Sequence, residues 1–199
     1  MIQITCRNTG VVLLKVDAAD LTGLDLSGVN LFAAHIVQQD LSGCDFSGAN
    51  LFEANLSGSN LSKCMLTDAN LSAACLVSTR FCDATMVSTA LAHADLSNAN
   101  LSGANLEGAD LERAYLYRTN LTDCYIGRTR LRETIFTLCP TLHLARGLET
   151  AGKTQNGHGY TVLDLRTLRS CLPHLPDPFL INIGWSLEEI AALREAYCV

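Results

Sequence analysis

The chain reads as an all-β solenoid of about six coils, and two observations predict it. The first is an unbroken five-residue period. From Val16 to Phe136, 25 consecutive positions spaced by five are apolar, and a fixed internal repeat is the mark of a stacked array. The second is the company each apolar residue keeps. Two positions earlier the side chain is small, as at Ala49, Ala54, Ala69, Ala99, Ala104, Ala109 and Ala114, with Cys44, Cys64, Cys124, Thr79 and Thr119 as variants. One position earlier it is often Asn or Asp, and Ser and Gly are common in the two positions after. A period of five suits neither a helix, which needs about 3.6, nor an alternating strand, which needs 2. It suits a chain that turns a corner every five residues. Four such units close a square coil, so residues twenty apart stack, with neighbouring coils roughly 4.8 Å apart.

The run 99–111, Ala-Asn-Leu-Ser-Gly-Ala-Asn-Leu-Glu-Gly-Ala-Asp-Leu, resembles the consensus of the pentapeptide-repeat family. That resemblance covers residues 16–136 and implies a right-handed quadrilateral β-helix. It implies less about function: some members bind DNA gyrase as mimics of duplex DNA, some regulate cyanobacterial cells, and many have no known role.

Residues 1–15 are expected to form a β-hairpin cap. Ile2, Ile4 and the stretch from Val11 to Leu14 favour strands, and Asn8-Thr9-Gly10 between them is a turn signal. A first coil left bare would offer open strand edges.

In the body, 16–136, the position after each core residue faces outward. One column then carries Phe32, Phe52, Ser72, Ala92, Glu112 and Arg132. Two stacked phenylalanines on a surface of Ser, Asn, Gly and Thr mark a candidate protein contact; the alternative is that a loop or the C-terminal segment covers them. A second candidate is Tyr115 and Tyr117, which flank the core residue Leu116. At Gln39 a long polar side chain occupies the small inward slot and is expected to bend outward or to satisfy a backbone group. His35 and His93 read as solvated.

Charge separates along the rod. Residues 16–112 hold twelve acids against Lys63 and Arg80; residues 113–136 hold five arginines against Asp123 and Glu133. The acidic body argues against direct nucleic-acid binding and leaves DNA mimicry open, through columns such as Asp20/Asp40 and Asp25/Asp45. Six of the acids, however, share their slot with Asn30, Asn50, Asn60, Asn70, Asn100 and Asn105, so the slot calls for a short hydrogen-bonding side chain more than for charge.

Residues 137–199 are expected to form a loop-rich extension ending in an amphipathic helix. All four prolines lie here, and residues 147–159 carry four glycines. Ser186 and Glu189 make a capping box, and Trp185 with Ile190 a hydrophobic staple. Leu187, Ile190, Leu193 and Tyr197 then share a face that must bury against the last coil, the phenylalanine column or another chain. Gly147-Leu148-Glu149, Leu175-Pro176, Phe179-Leu180 and Gly184 resemble a segment that follows such arrays in bacterial multidomain proteins, where it implies a cap or adaptor. Residues 147–154 match G-x-x-x-x-G-K-[ST], but Gln-Asn-Gly-His-Gly follows where a phosphate-binding loop needs a helix.

Nine cysteines suggest no metal set, since no C-x-x-C pair or His at ligand spacing accompanies them. Cys44, Cys64 and Cys124 read as buried core residues, Cys75 and Cys82 as accessible thiols. No secretory signal or apolar run of membrane length is legible, which makes a cytoplasmic protein the expectation. Without an acid–base pair, a nucleophile with its base, or a cofactor motif, the chain is expected to be a non-enzymatic protein-interaction scaffold. The alternative is a DNA mimic that inhibits or protects a type II topoisomerase. In topoisomerase-binding relatives the C-terminal ends pair, and the face at 187–197 would permit a homodimer here.

Overall fold

The computed structural model describes residues 1–152, 161–163, 167 and 171–197. Its body is a right-handed quadrilateral β-helix. Parallel bridges join residues twenty apart without interruption, from Asp25–Asp45 through Asn50–Asn70 and Thr85–Asn105 to Asp110–Arg130.

Each five-residue unit closes on one turn. In most units the carbonyl of the core residue accepts the N–H three positions on, as in Ala49 N to Phe46 O at 2.9 Å and Ala54 N to Leu51 O at 3.0 Å. The residue two past the core position has positive φ, the mark of a type II turn. Glycine serves there at Gly43 and Gly48, with φ of 72° and 64°, but Lys63, Asp68 and Ser78 hold the same conformation.

The remaining backbone groups bond between coils. Leu51 N donates to Asn70 O at 2.7 Å, Glu53 N to Ser72 O at 3.0 Å, and Asn70 N back to Ala49 O at 2.9 Å. Ladders along all four walls therefore satisfy the main chain without long strands.

Inside, the core is a stack of residues such as Leu51, Leu71 and Leu91, fully buried and flanked by Ala49, Ala69 and Ala74. Where the small slot holds a hydroxyl or thiol, it donates in most coils to the carbonyl twenty-three residues earlier, whereas Thr129 Oγ1 turns to Ile126 O in its own unit at 2.8 Å. Cys44 Sγ to Leu21 O is 2.8 Å, Thr89 Oγ1 to Leu66 O is 2.8 Å and Thr134 Oγ1 to Leu111 O is 2.7 Å. The slot thus accepts Ser, Thr or Cys as readily as Ala, because each brings its own partner. Gln39 is exposed and donates through Nε2 to Val37 O at 3.0 Å, while Ser59 Oγ accepts its N–H.

At the N-terminal end β1 (Ile2–Cys6) and β2 (Val12–Val16) form an antiparallel hairpin. β1 also pairs with β3 (Ala34–His35) in the first coil. Val16 therefore lies in the hairpin, and β1 takes the place beneath His35 that a residue twenty positions earlier would hold. The first inward core residue of the stacked coils is Leu21.

At the other end β4 (Tyr115–Tyr117) and β5 (Ile135–Thr137) are parallel, and β6 (Val162–Leu163) adds to β5. Coiling continues past Phe136, although the five-residue pattern stops. Phe136, Leu142 and Leu148 are buried at a spacing of six, as are Cys139, Ala145 and Ala151. The extra residues are taken up by a short 3-10 turn at Leu142–Leu144. Ile126 N still bonds Arg146 O at 2.9 Å, and the Thr141 hydroxyl accepts Leu121 N at 2.8 Å in place of a carbonyl.

Among the described residues, helices α1 (Asp177–Asn182) and α2 (Leu187–Tyr197) lie at this end. The capping box forms: Ser186 N donates to Glu189 Oε2 at 2.8 Å and Glu189 N to Ser186 Oγ at 3.2 Å. Arg194 ties α2 back, through Leu175 O at 2.7 Å and Asp177 Oδ1 at 2.6 Å. Residues 153–160, which hold Gly157, Gly159 and the end of the G-x-x-x-x-G-K-[ST] match, lie outside the described residues.

Candidate protein-binding surface

The turn geometry that builds the rod also places Phe32 and Phe52. The position after the core residue points outward on every wall, so residues twenty apart meet. Their rings stack with centroids 6.0 Å apart and 12° between planes, and Phe32 is 42% exposed. Beneath them Asn30 and Asn50 set the register. Each Oδ1 accepts the phenylalanine N–H two residues on, at 3.2 Å, and Asn50 Nδ2 donates to Asn30 Oδ1 at 3.0 Å. The described C-terminal residues bond at the opposite end, with Thr161 Oγ1 on Leu131 O and Asn182 Nδ2 on Ala151 O. They leave Phe32 open.

Tyr115 and Tyr117 also come together, with centroids 6.4 Å apart and planes within 4°, and Arg118 lies 5.1 Å over the Tyr117 ring. Leu116 between them is fully buried.

The stripe on α2 is only partly covered. Ile190 is buried, and Trp185 and Leu193 pack against the core at their edges. Leu187, expected to bury with them, is 65% exposed, because it opens the first turn, beyond the reach of the rod and α1. The side chain of Tyr197 lies outside the described residues. Trp185, Glu189, Ala192 and Leu193 line a shallow concavity of about 300 Å³.

The six acids in the slot before a core residue belong to the turns. Asp20, Asp25 and Asp40 each accept the N–H two residues on, at 3.0 Å. Those bonds, with hydroxyls of Thr22, Ser27 and Ser42, hold all three carboxyls below their ordinary range. Asn50, Asn60 and Asn100 make the same bond, so the slot selects the acceptor and not the charge.

The arginines of the last regular coil face acids one coil back. Arg130 pairs with Asp110 at 3.5 Å, Arg132 with Glu112 at 3.7 Å and Arg128 with Glu107 at 3.4 Å; Arg113 reaches forward to Glu133 at 2.7 Å. The sequence pattern alone did not reveal this pairing, although the twenty-residue register contains three of the four pairs, Arg130–Asp110, Arg132–Glu112 and Arg113–Glu133.

Cys44, Cys64 and Cys124 are fully buried. Burial pushes the Cys64 and Cys124 thiols up to about 12. Cys75 and Cys82 are half-exposed, beside Ser57 at 3.1 Å and Ser102 at 3.6 Å. One cluster escaped the sequence analysis: His143 Nδ1 lies 3.4 Å from Cys171 Sγ, with the His174 ring 5.1 Å away. Among the described residues no group of three or more His, Cys, Asp or Glu is arranged to hold a metal ion, and no helix is long and apolar enough to cross a membrane.

A four-walled rod with outward columns and an inward Leu stack defines the class of repeat β-solenoids. The chain belongs to the pentapeptide repeat family, whose model matches it eight times across residues 17–48, 30–68, 64–103 and 99–137. Full-length QnrB1, a plasmid-mediated fluoroquinolone resistance protein, shares the fold at a TM-score of 0.54 and 19% identity, over 63% of this chain and 68% of that one. A pentapeptide repeat protein from Nostoc is 35% identical over 43% of this chain and 69% of its own, with a TM-score of 0.41. Rfr23 from the cyanobacterium Cyanothece is 30% identical over 62% and 88%, with a TM-score of 0.31. No curated protein matches the chain.

Proposed function

We propose that this chain is a non-enzymatic interaction scaffold, a rigid rod that presents Phe32 and Phe52 to a cytoplasmic protein partner. The observation that carries the reading is the stacked, outward phenylalanine pair, held in register by the Asn30–Asn50 ladder. Exposed aromatic pairs on a stiff support lose little entropy on contact and act as binding anchors. The paired tyrosines offer a second, smaller contact, and the uncovered part of α2 a surface through which two copies could associate. The test replaces Phe32 and Phe52 by Ser. A partner captured by the wild-type chain and identified by mass spectrometry is then titrated with both purified proteins. Binding weakened by about tenfold or more, with an unchanged circular dichroism spectrum, supports the column; undiminished binding removes it.

The competing reading is a DNA mimic acting on a type II topoisomerase. It draws on stacked acids such as Asp25 and Asp45, which bridge in adjacent coils. The hydrogen bonds that tie these carboxylates to their own turns favour the scaffold. A DNA supercoiling assay separates the two: no effect at micromolar excess of the chain excludes the mimic.

A further inference from the structure

We infer that the N-terminal hairpin is a second recognition edge, one that takes an extended acidic segment of a protein partner as an added strand beside β2. In the sheet order β2-β1-β3, β1 is paired on both sides and β2 on one. Among the described residues no strand lies beyond β2. An outer strand presents a row of N–H and C=O groups, and adding a strand to such a row is a recurring mode of peptide recognition.

β2 is suited to it. Its five residues, Val-Leu-Leu-Lys-Val, include no proline or glycine. The one register shift falls at Ile4/Thr5, which leaves Leu14, Lys15 and Val16 regularly paired with Ile4, Gln3 and Ile2. Leu13, Leu14 and Val16 pack partly on the core and fix the strand, while Val12 and Lys15 stay exposed.

Charge selects the occupant. Residues 1–16 carry Arg7 and Lys15 and no carboxylate, whereas the body from 17 to 112 carries twelve acids. A second copy, joined β2 to β2 about a two-fold axis, would set Lys15 near its own image and draw two acidic rods together, and like charges on facing strands destabilise the pair. A strand alternating β-branched and acidic residues meets the edge with the opposite sign. The inference rests on the scaffold reading only in taking the partner to be a protein; it uses different residues, so the two can fail separately.

The probe is a fluorescein-labelled peptide, Thr-Val-Glu-Val-Glu-Val-Thr, titrated against the full chain. Anisotropy should saturate, and amide exchange should slow at residues 12–16. Lys15→Glu, checked for fold by circular dichroism, should weaken binding about fivefold while Lys15→Arg restores it. A peptide with Lys in place of Glu should bind about tenfold more weakly, and the Phe32→Ser/Phe52→Ser chain should bind as wild type. The inference is overturned by absence of binding at millimolar peptide, by equal binding of the lysine peptide, or by protection elsewhere than residues 12–16. Loss of binding in the phenylalanine variant, with Lys15→Glu unaffected, would assign the peptide to the first surface and remove this one.

Discussion

Replacing Leu71 by Ala tests the stacked core directly. Leu71 is fully buried, as are Leu51 below it and Leu91 above it. The change removes three carbons, about 2.4 kcal/mol of transfer free energy at about 0.8 kcal/mol per methylene. Leu71 N is bonded to Ala90 O at 2.8 Å and Leu51 N to Asn70 O at 2.7 Å. With walls held that way the coil cannot close around the gap, and the residual cavity should raise the total to about 3–4 kcal/mol. The control is Leu187→Ala on α2, 65% exposed, which should cost less than about 0.5 kcal/mol. Guanidinium unfolding followed by circular dichroism reads both, with equal m-values expected. A loss below about 1 kcal/mol at Leu71, or equal losses at the two sites, would mean that the Leu stack does not carry the stability of the rod.

Four further outcomes are expected. Lys63→Gly relieves a side chain held at φ 61° and should raise stability by roughly 0.5–1 kcal/mol, read from the unfolding midpoint; Gly147→Ala should do the reverse and lower the melting temperature, since its Cβ would meet Gly127 N at 2.7 Å and Gly127 Cα at 2.8 Å, backbone atoms that cannot step aside. The depressed carboxyls of Asp20, Asp25 and Asp40 contribute stability that is present above the unfolded value near pH 4 and lost as pH falls through their lower folded values. A triple Asp→Asn chain should therefore lose less stability between about pH 4 and pH 2 in acid titration by circular dichroism. Finally, a maleimide applied to the native protein at neutral pH should label Cys75 and Cys82 well before Cys44, Cys64 and Cys124, because burial keeps those thiols protonated and out of reach; mass spectrometry showing equal labelling would contradict the assigned faces.

The sequence by itself determined the regular body. A five-residue period admits one corner per unit, and a four-cornered coil stacks residue on residue at twenty. From that follow the inward Leu and Ala, the outward Phe32 and Phe52, the Asn or Asp acceptor in each turn, and the outward bend of Gln39. The capping box at Ser186 was also legible, because it depends on bonds only three residues apart. Contacts beyond the repeat were decided by the tertiary structure. β1 enters beneath β3 and draws Val16 into the hairpin, a pairing that no local pattern encodes. Past Phe136 the units lengthen to six, and Cys139, Leu142, Ala145 and Leu148 stay inside because the coil below supplies the ladder that holds them. Where α2 settles is fixed by long-range contacts, Arg194 on Leu175 O and Asp177 among them, so Ile190 is buried while Leu187, on the same stripe, remains in solvent.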